Sequence, residues 1–104
     1  MSCYFHYNAR LGIETPALEQ DWDSYPSDVR VEILFRWEQI RGVIPDRIMK
    51  LEGAIIRKQN QLDQEDDFIT SCRLNSEIAD LASIINDLHL WFRINQDLEA
   101  KTHH

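Results

Sequence analysis

The sequence predicts an all-α fold: an antiparallel, coiled-coil-like helical hairpin plus a shorter helix, together a three-helix bundle with an extended N-terminal arm. Three observations lead there. Apolar residues recur at helical spacing in three stretches after residue 26. One polar run, Asp63-Gln64-Glu65-Asp66-Asp67, interrupts the periodicity in the middle. The 104 residues include only 3 Gly and 3 Pro, so long uninterrupted helices fit, and the length suits one domain with one core. Residues 1–26 are expected as the arm and residues 27–104 as the bundle.

The arm holds Pro16 and Pro26 and an aromatic cluster of Tyr4, Phe5 and Tyr7. Residues 4–7 could form a strand, but a strand without a partner is no sheet, so an extended segment laid on the helices is expected. Thr15-Pro16 reads as an N-cap followed by proline at the first helical position, opening a short helical turn through Leu18 and Trp22. Ser27 reads as the N-cap of the first helix, with Asp28 suited to the positive end of its dipole. Ile33, Leu34, Trp37, Ile40 and Ile44 form its stripe. Gly42 can close it, and Pro45 pushes Ile44 towards extended geometry. A second helix then starts at Pro45, with Ile48, Leu51, Ile55 and Leu62 as its stripe. A single helix kinked at Pro45 is the alternative.

After the polar turn, Asp66 or Asp67 can cap a third helix. Its Leu74, Ile78, Leu81, Ile85, Leu88 and Phe92 keep alternating four-three spacing, an a/d seam. A second stripe, Leu81, Ile84, Leu88, Trp91 and Leu98, lies beside it and calls for a second neighbour. At 1.5 Å per residue, a helix over 67–100 is ~50 Å long, and one over 45–62 only ~27 Å. The first helix, or a second copy of the chain, is therefore expected to cover the surplus half.

Charge and composition remove several functions. Asp plus Glu exceed Lys plus Arg by 18 to 11, giving a net charge of −7. The cations are spread along the chain, so no nucleic-acid contact and no anionic membrane surface is expected. No run approaches the ~18–20 apolar residues of a membrane span. The first seven residues lack a basic region followed by an apolar run, so no signal peptide is expected and the cytoplasm is the expected compartment. Two cysteines, Cys3 and Cys72, make no disulfide framework.

The candidate chemical constellations are sparse. Cys3 and His6 have a usable zinc spacing, but Cys72, His89, His103 and His104 offer no matching pair. The acidic turn lacks the glycine and the closing Glu of a calcium loop, and reads as a solvated turn that doubles as a cap. Glu77 and Asp80 sit three apart beside the seam, and read as the polar flank of a coiled coil. His89 lies between two leucines and could titrate near neutral pH. No nucleophile is placed beside a base, and glycines at 12, 42 and 53 form no phosphate cradle. No catalytic residue, cofactor or metal ligand is expected.

Aromatics point instead to contact. Trp37, Trp91 and Phe92 fall on core stripes, whereas Trp22 and Tyr25 lie in an acidic stretch without bases. They could dock on Arg30, Arg36 or Arg41, or on a partner. Asn95 continues the seam after Phe92, where a polar residue fixes register or partner number. The expected interaction residues are therefore Trp22, Tyr25, Leu88, Trp91, Phe92 and Asn95. In outline the acidic hairpin is similar to the sporulation aspartyl-phosphate phosphatases of bacilli, with their Ser-Gln-Glu-Leu-Asp signature. The nearest segment, Asn75-Ser76-Glu77-Ile78-Ala79, keeps the acid and the aliphatic, but has Ala79 where the decisive Asp stands, so no function is carried over. The function expected is a small acidic interaction module without catalytic activity, binding a protein partner or itself as a homodimer. The alternatives are an acidic regulator or inhibitor of a kinase or nucleic-acid-binding protein, and a divalent-metal-binding helical protein.

Overall fold

A two-stranded hairpin, β1 (Phe5–Asn8) and β2 (Ile13–Pro16), opens the chain and is followed by one 3-10 turn at Trp22–Ser24. Three helices make up the rest: α1 (Ser27–Arg41), α2 (Ile44–Asp63) and α3 (Phe68–Thr102). The computed structural model describes residues 4–102, and the side chains of residues 4–94. The fold is mostly helical, with α1 and α2 following each other as one long bent rod and α3 as a further helix.

The N-terminal segment corrects the expectation of an extended arm. Its missing strand partner is Ile13–Pro16, antiparallel to β1, with Phe5 opposite Pro16 and Asn8 opposite Ile13. Asn8 and Gly12 make the reversal. The Gly12 N–H donates to Asn8 O at 2.8 Å, and the Leu11 N–H donates to Asn8 Oδ1 at 3.1 Å. Gly12 has φ +75°, which a residue with a Cβ rarely adopts. Thr15 and Pro16 thus close a strand and do not open a helix. Pro16 is tolerated there because a two-stranded sheet is all edge.

So short a hairpin is marginal alone and needs support. Leu11 and Ile13 enter the same core cluster as Trp37, Ile40, Ile44, Ile48, Leu51 and Leu88. Phe5 stacks on Trp37 at 6.4 Å, and Trp37 meets Trp91 edge-on at 5.9 Å. Such ring pairs add about 0.5–1.5 kcal/mol each beyond burial. Polar ties hold the rim: Arg10 reaches Asp87 at 2.7 Å, Arg36 reaches Glu14 at 2.7 Å, and Arg47 Nε donates to Leu11 O at 3.0 Å.

Ser27 is the first residue of α1 and not its cap; Pro26 holds the cap position, and its carbonyl accepts from Arg30 N at 3.0 Å. The bend falls at Gly42 and Val43, whose backbones stay right-handed. Ile44 is helical and fully buried, not extended, and Pro45 sits in the first turn of α2. There its missing N–H costs nothing. The polar turn lies where expected: α2 ends at Asp63 and α3 begins at Phe68. Asp67 caps α3, accepting from Thr70 N at 2.9 Å and from Thr70 Oγ1 at 2.7 Å. These two bonds, the side-chain one first, hold the Asp67 carboxyl below its ordinary value.

Helices α2 and α3 run in opposite directions across the turn. Lys58 donates to Glu77 at 3.1 Å towards the turn, and Ile44 and Ile48 join Leu88 in one cluster at the other end. The surplus half of α3 meets α1. The Arg41 guanidinium lies 4.6 Å above the Phe92 ring, its Nη1 donates to Phe92 O at 3.3 Å, and it pairs with Glu38.

Candidate functional site

Six residues carried the expectation of a contact surface, and the fold distributes them. Leu88 is fully buried, and Trp91 and Phe92 are half-buried against α1. Tyr25 is buried. Its ring meets Tyr4 edge-on at 5.7 Å, and its hydroxyl accepts from Glu19 N and Gln20 N, both at 3.2 Å. Trp22 is half-buried, and its Nε1 is buried without a hydrogen-bond partner among the described residues. Arg36 and Arg41, two of the cations that could have met these rings, are engaged with Glu14 and with Glu38 and Phe92. The Asn95 side chain lies outside the described residues.

The chemical candidates stay apart. His6 and His89 are exposed on separate elements, Cys72 is an exposed free thiol, and Cys3 lies outside the described residues. Glu77 is held by Lys58 and by Arg73 at 3.6 Å, which makes it an ion-pair partner beside an exposed Asp80. Among the described residues no group of three or more His, Cys, Asp or Glu gathers in a way that could hold a metal ion. No helix among them is long and apolar enough to cross a membrane.

What the surface does present is apolar. One area borders the seam between hairpin and α1, where shallow depressions of about 370 and 290 Å³ share Glu14, Arg36 and Gln39. Val31, Phe35 and Val43 are exposed at four- and eight-residue intervals along this side of the chain, with Tyr7 beside them. The Arg36–Glu14 ion pair bridges the seam.

The other area is the outer side of the α2–α3 pair. Met49 and Ile56 of α2 are 68% and 57% exposed, seven residues apart and so on one face. Gly53 stands between them. Among the described residues, a Cβ there would meet only Arg57 Nη1, at 3.5 Å. Beside this face a groove of about 280 Å³ is lined by Glu52, Ile55, Ile56, Ala82 and Ile85. Phe68 and Ile69 at the start of α3 are 78% and 77% exposed. The sequence reading followed the core stripe of α2 and missed this second one. Its signal was a Met-Gly-Ile spacing of four and three, directed away from Ile48 and Leu51. The hairpin residues Arg10, Leu11 and Ile13 were missed as well; Asn8 and Gly12 between short apolar runs marked them. No protein-family model, no curated protein and no solved structure matches the chain.

Proposed function

We propose that this chain is a small acidic helical interaction module that acts by self-association and carries no catalysis of its own. The observation that supports the reading is the exposure of large apolar side chains along the α2–α3 pair, with Met49, Ile56, Phe68 and Ile69 all more than half exposed. Exposed large apolar side chains on a small protein are material for contact sites when a neighbour can cover them. The reading includes coiled-coil-like packing of α2 on α3, with α1 as the third helix of a bundle, and it places the module in the cytoplasm. The experiment is solution mass by size exclusion with light scattering over a dilution series. A mass of twice 12.3 kDa that falls with dilution is expected. A mass of 12.3 kDa at every concentration contradicts self-association.

A further inference from the structure

The hairpin is fastened to the helices at its two ends. At the tip, buried Leu11 joins Ile44 and Leu88 in the core cluster. Arg47 of α2 donates through Nε to Leu11 O at 3.0 Å, and its guanidinium packs over Gly12, where a Cβ would sit 2.7 Å from Nε. Arg10 reaches α3, donating to Asp87 Oδ2 at 2.7 Å and to Ser83 Oγ at 2.8 Å. At the base, Phe5 stacks on Trp37 and Tyr4 meets Tyr25 edge-on. Between tip and base the seam with α1 is undercut by the depressions of about 370 and 290 Å³, with the Arg36–Glu14 pair as a bridge.

The helices hold one another without these points. Arg41 joins α1 to Phe92 of α3, Lys58 joins α2 to Glu77 of α3, and Trp37 meets Trp91. None of these contacts uses a hairpin residue. The polar ties of the hairpin are also of the weak kind. The Arg10 and Asp87 side chains are 47% and 40% exposed, and ion pairs in that setting contribute little each. A two-stranded hairpin is marginal in water by itself, so lifting it from the helices also melts it. Its own backbone hydrogen bonds therefore report whether it is seated.

We infer that the hairpin is a strap: it lifts from the three helices as one unit while they stay packed, and the bonds from Arg10 to Asp87 and Ser83 are its latch. Under the strap lies an apolar groove of Trp37, Ile40, Ile44 and Leu88, the residues that Leu11 and Ile13 join in the core. Opening of a small unit with few buried contacts, well below the cost of global unfolding, is the general behaviour of such segments. Access to the groove is thus governed by one exposed ion pair between residues 77 positions apart. The strap acts within one chain and stands whether or not two copies associate.

Native-state hydrogen exchange tests this. The Gly12 and Ala17 amides donate to Asn8 O and Tyr4 O. In the parent they are expected to be about tenfold or more less protected than amides around Trp37 and Leu88. Arg10→Met and Asp87→Ala are each expected to lower the protection of Gly12 and Ala17 by about threefold, leaving the amides around Trp37 and Leu88 within about twofold of the parent. Asp87 precedes Leu88 in α3, so a response in the hairpin without one in α3 is not a local effect of that substitution. The double variant is expected to add nothing to Arg10→Met, because both changes remove the same tie. Circular dichroism checks that each variant keeps its helix content. Equal protection of the hairpin and the helices in the parent overturns the strap, since the hairpin then opens only with the whole chain. Single variants that shift both sets of amides alike, or neither, overturn the latch, as do effects that simply multiply in the double variant.

Discussion

The two ends of the molecule solve the burial problem differently. Around the bend, three elements join α3 in one core: the hairpin supplies Leu11 and Ile13, α1 supplies Trp37 and Ile40, α2 supplies Ile44 and Ile48, and α3 supplies Leu88. Towards the 63–67 turn the described residues provide two helices. Leu74 is buried there, while Ile55, Leu62 and Ile78 are half-buried and Ile56, Phe68 and Ile69 are exposed. A helix pair hides one facing stripe, and anything apolar beside that stripe stays wet until another layer arrives. The bend end is a closed core, and the turn end leaves large apolar side chains exposed.

Substitutions should separate the two ends by size of effect. Trp37 is 1% exposed and touches rings on both sides, so Trp37→Ala is expected to cost about 3–5 kcal/mol in urea unfolding. A cost near zero would mean the bend end is not the structural core. Gly12→Ala comes next, at about 1–3 kcal/mol. A Cβ would sit 2.7 Å from Arg47 Nε on a backbone of φ +75°. Gly53→Ala is expected to act in the opposite direction. In dilute monomer it should raise stability by about 0.5–1 kcal/mol, because its notch is open within one chain. Ile56→Ala should leave the monomer within about 0.5 kcal/mol of the parent. A large loss there would erase the distinction between the ends.

The smallest effect sharpens the account of the turn. The Asp67 carboxyl titrates below its ordinary value of 3.8 because Thr70 donates to its ionised form. Its stabilisation is therefore present above that value and disappears as pH falls through the lowered one. Asp67→Asn should lower the thermal midpoint slightly at pH 7, and the gap to the parent should close as pH falls below the ordinary value of 3.8 and through the lowered one. A gap that does not change with pH would assign the cap to hydrogen bonding without charge.

Much of this architecture is legible in the sequence, for physical reasons that differ by element. The turn and the start of α3 are legible because an acidic run and a capping Asp act locally. The stripes of α1, α2 and α3 are legible because each repeats over several turns. The hairpin is not, because four-residue strands are too short to show a period and its support comes from distant groups such as Asp87 and Arg47. The break at Gly42 is legible as the close of α1, whereas α2 starts at Ile44, one residue before Pro45, since proline at the first turn is helix-compatible. Tyr25 reads as a free aromatic among acids, yet its hydroxyl is claimed by two backbone N–H groups six and five residues upstream. The exposed apolar face of α2 is written in Met49 and Ile56, but it emerges only once the core stripe is known to point elsewhere.

Residue-level hydrogen exchange at two protein concentrations a hundredfold apart tests the contrast between the ends most directly. The account predicts that amides around Trp37 and Leu88 exchange equally slowly in both samples, while those of α2 from 49 to 60 gain protection only in the concentrated one. Equal protection of the 49–60 segment at both concentrations, or a concentration dependence centred on Trp37, would contradict it.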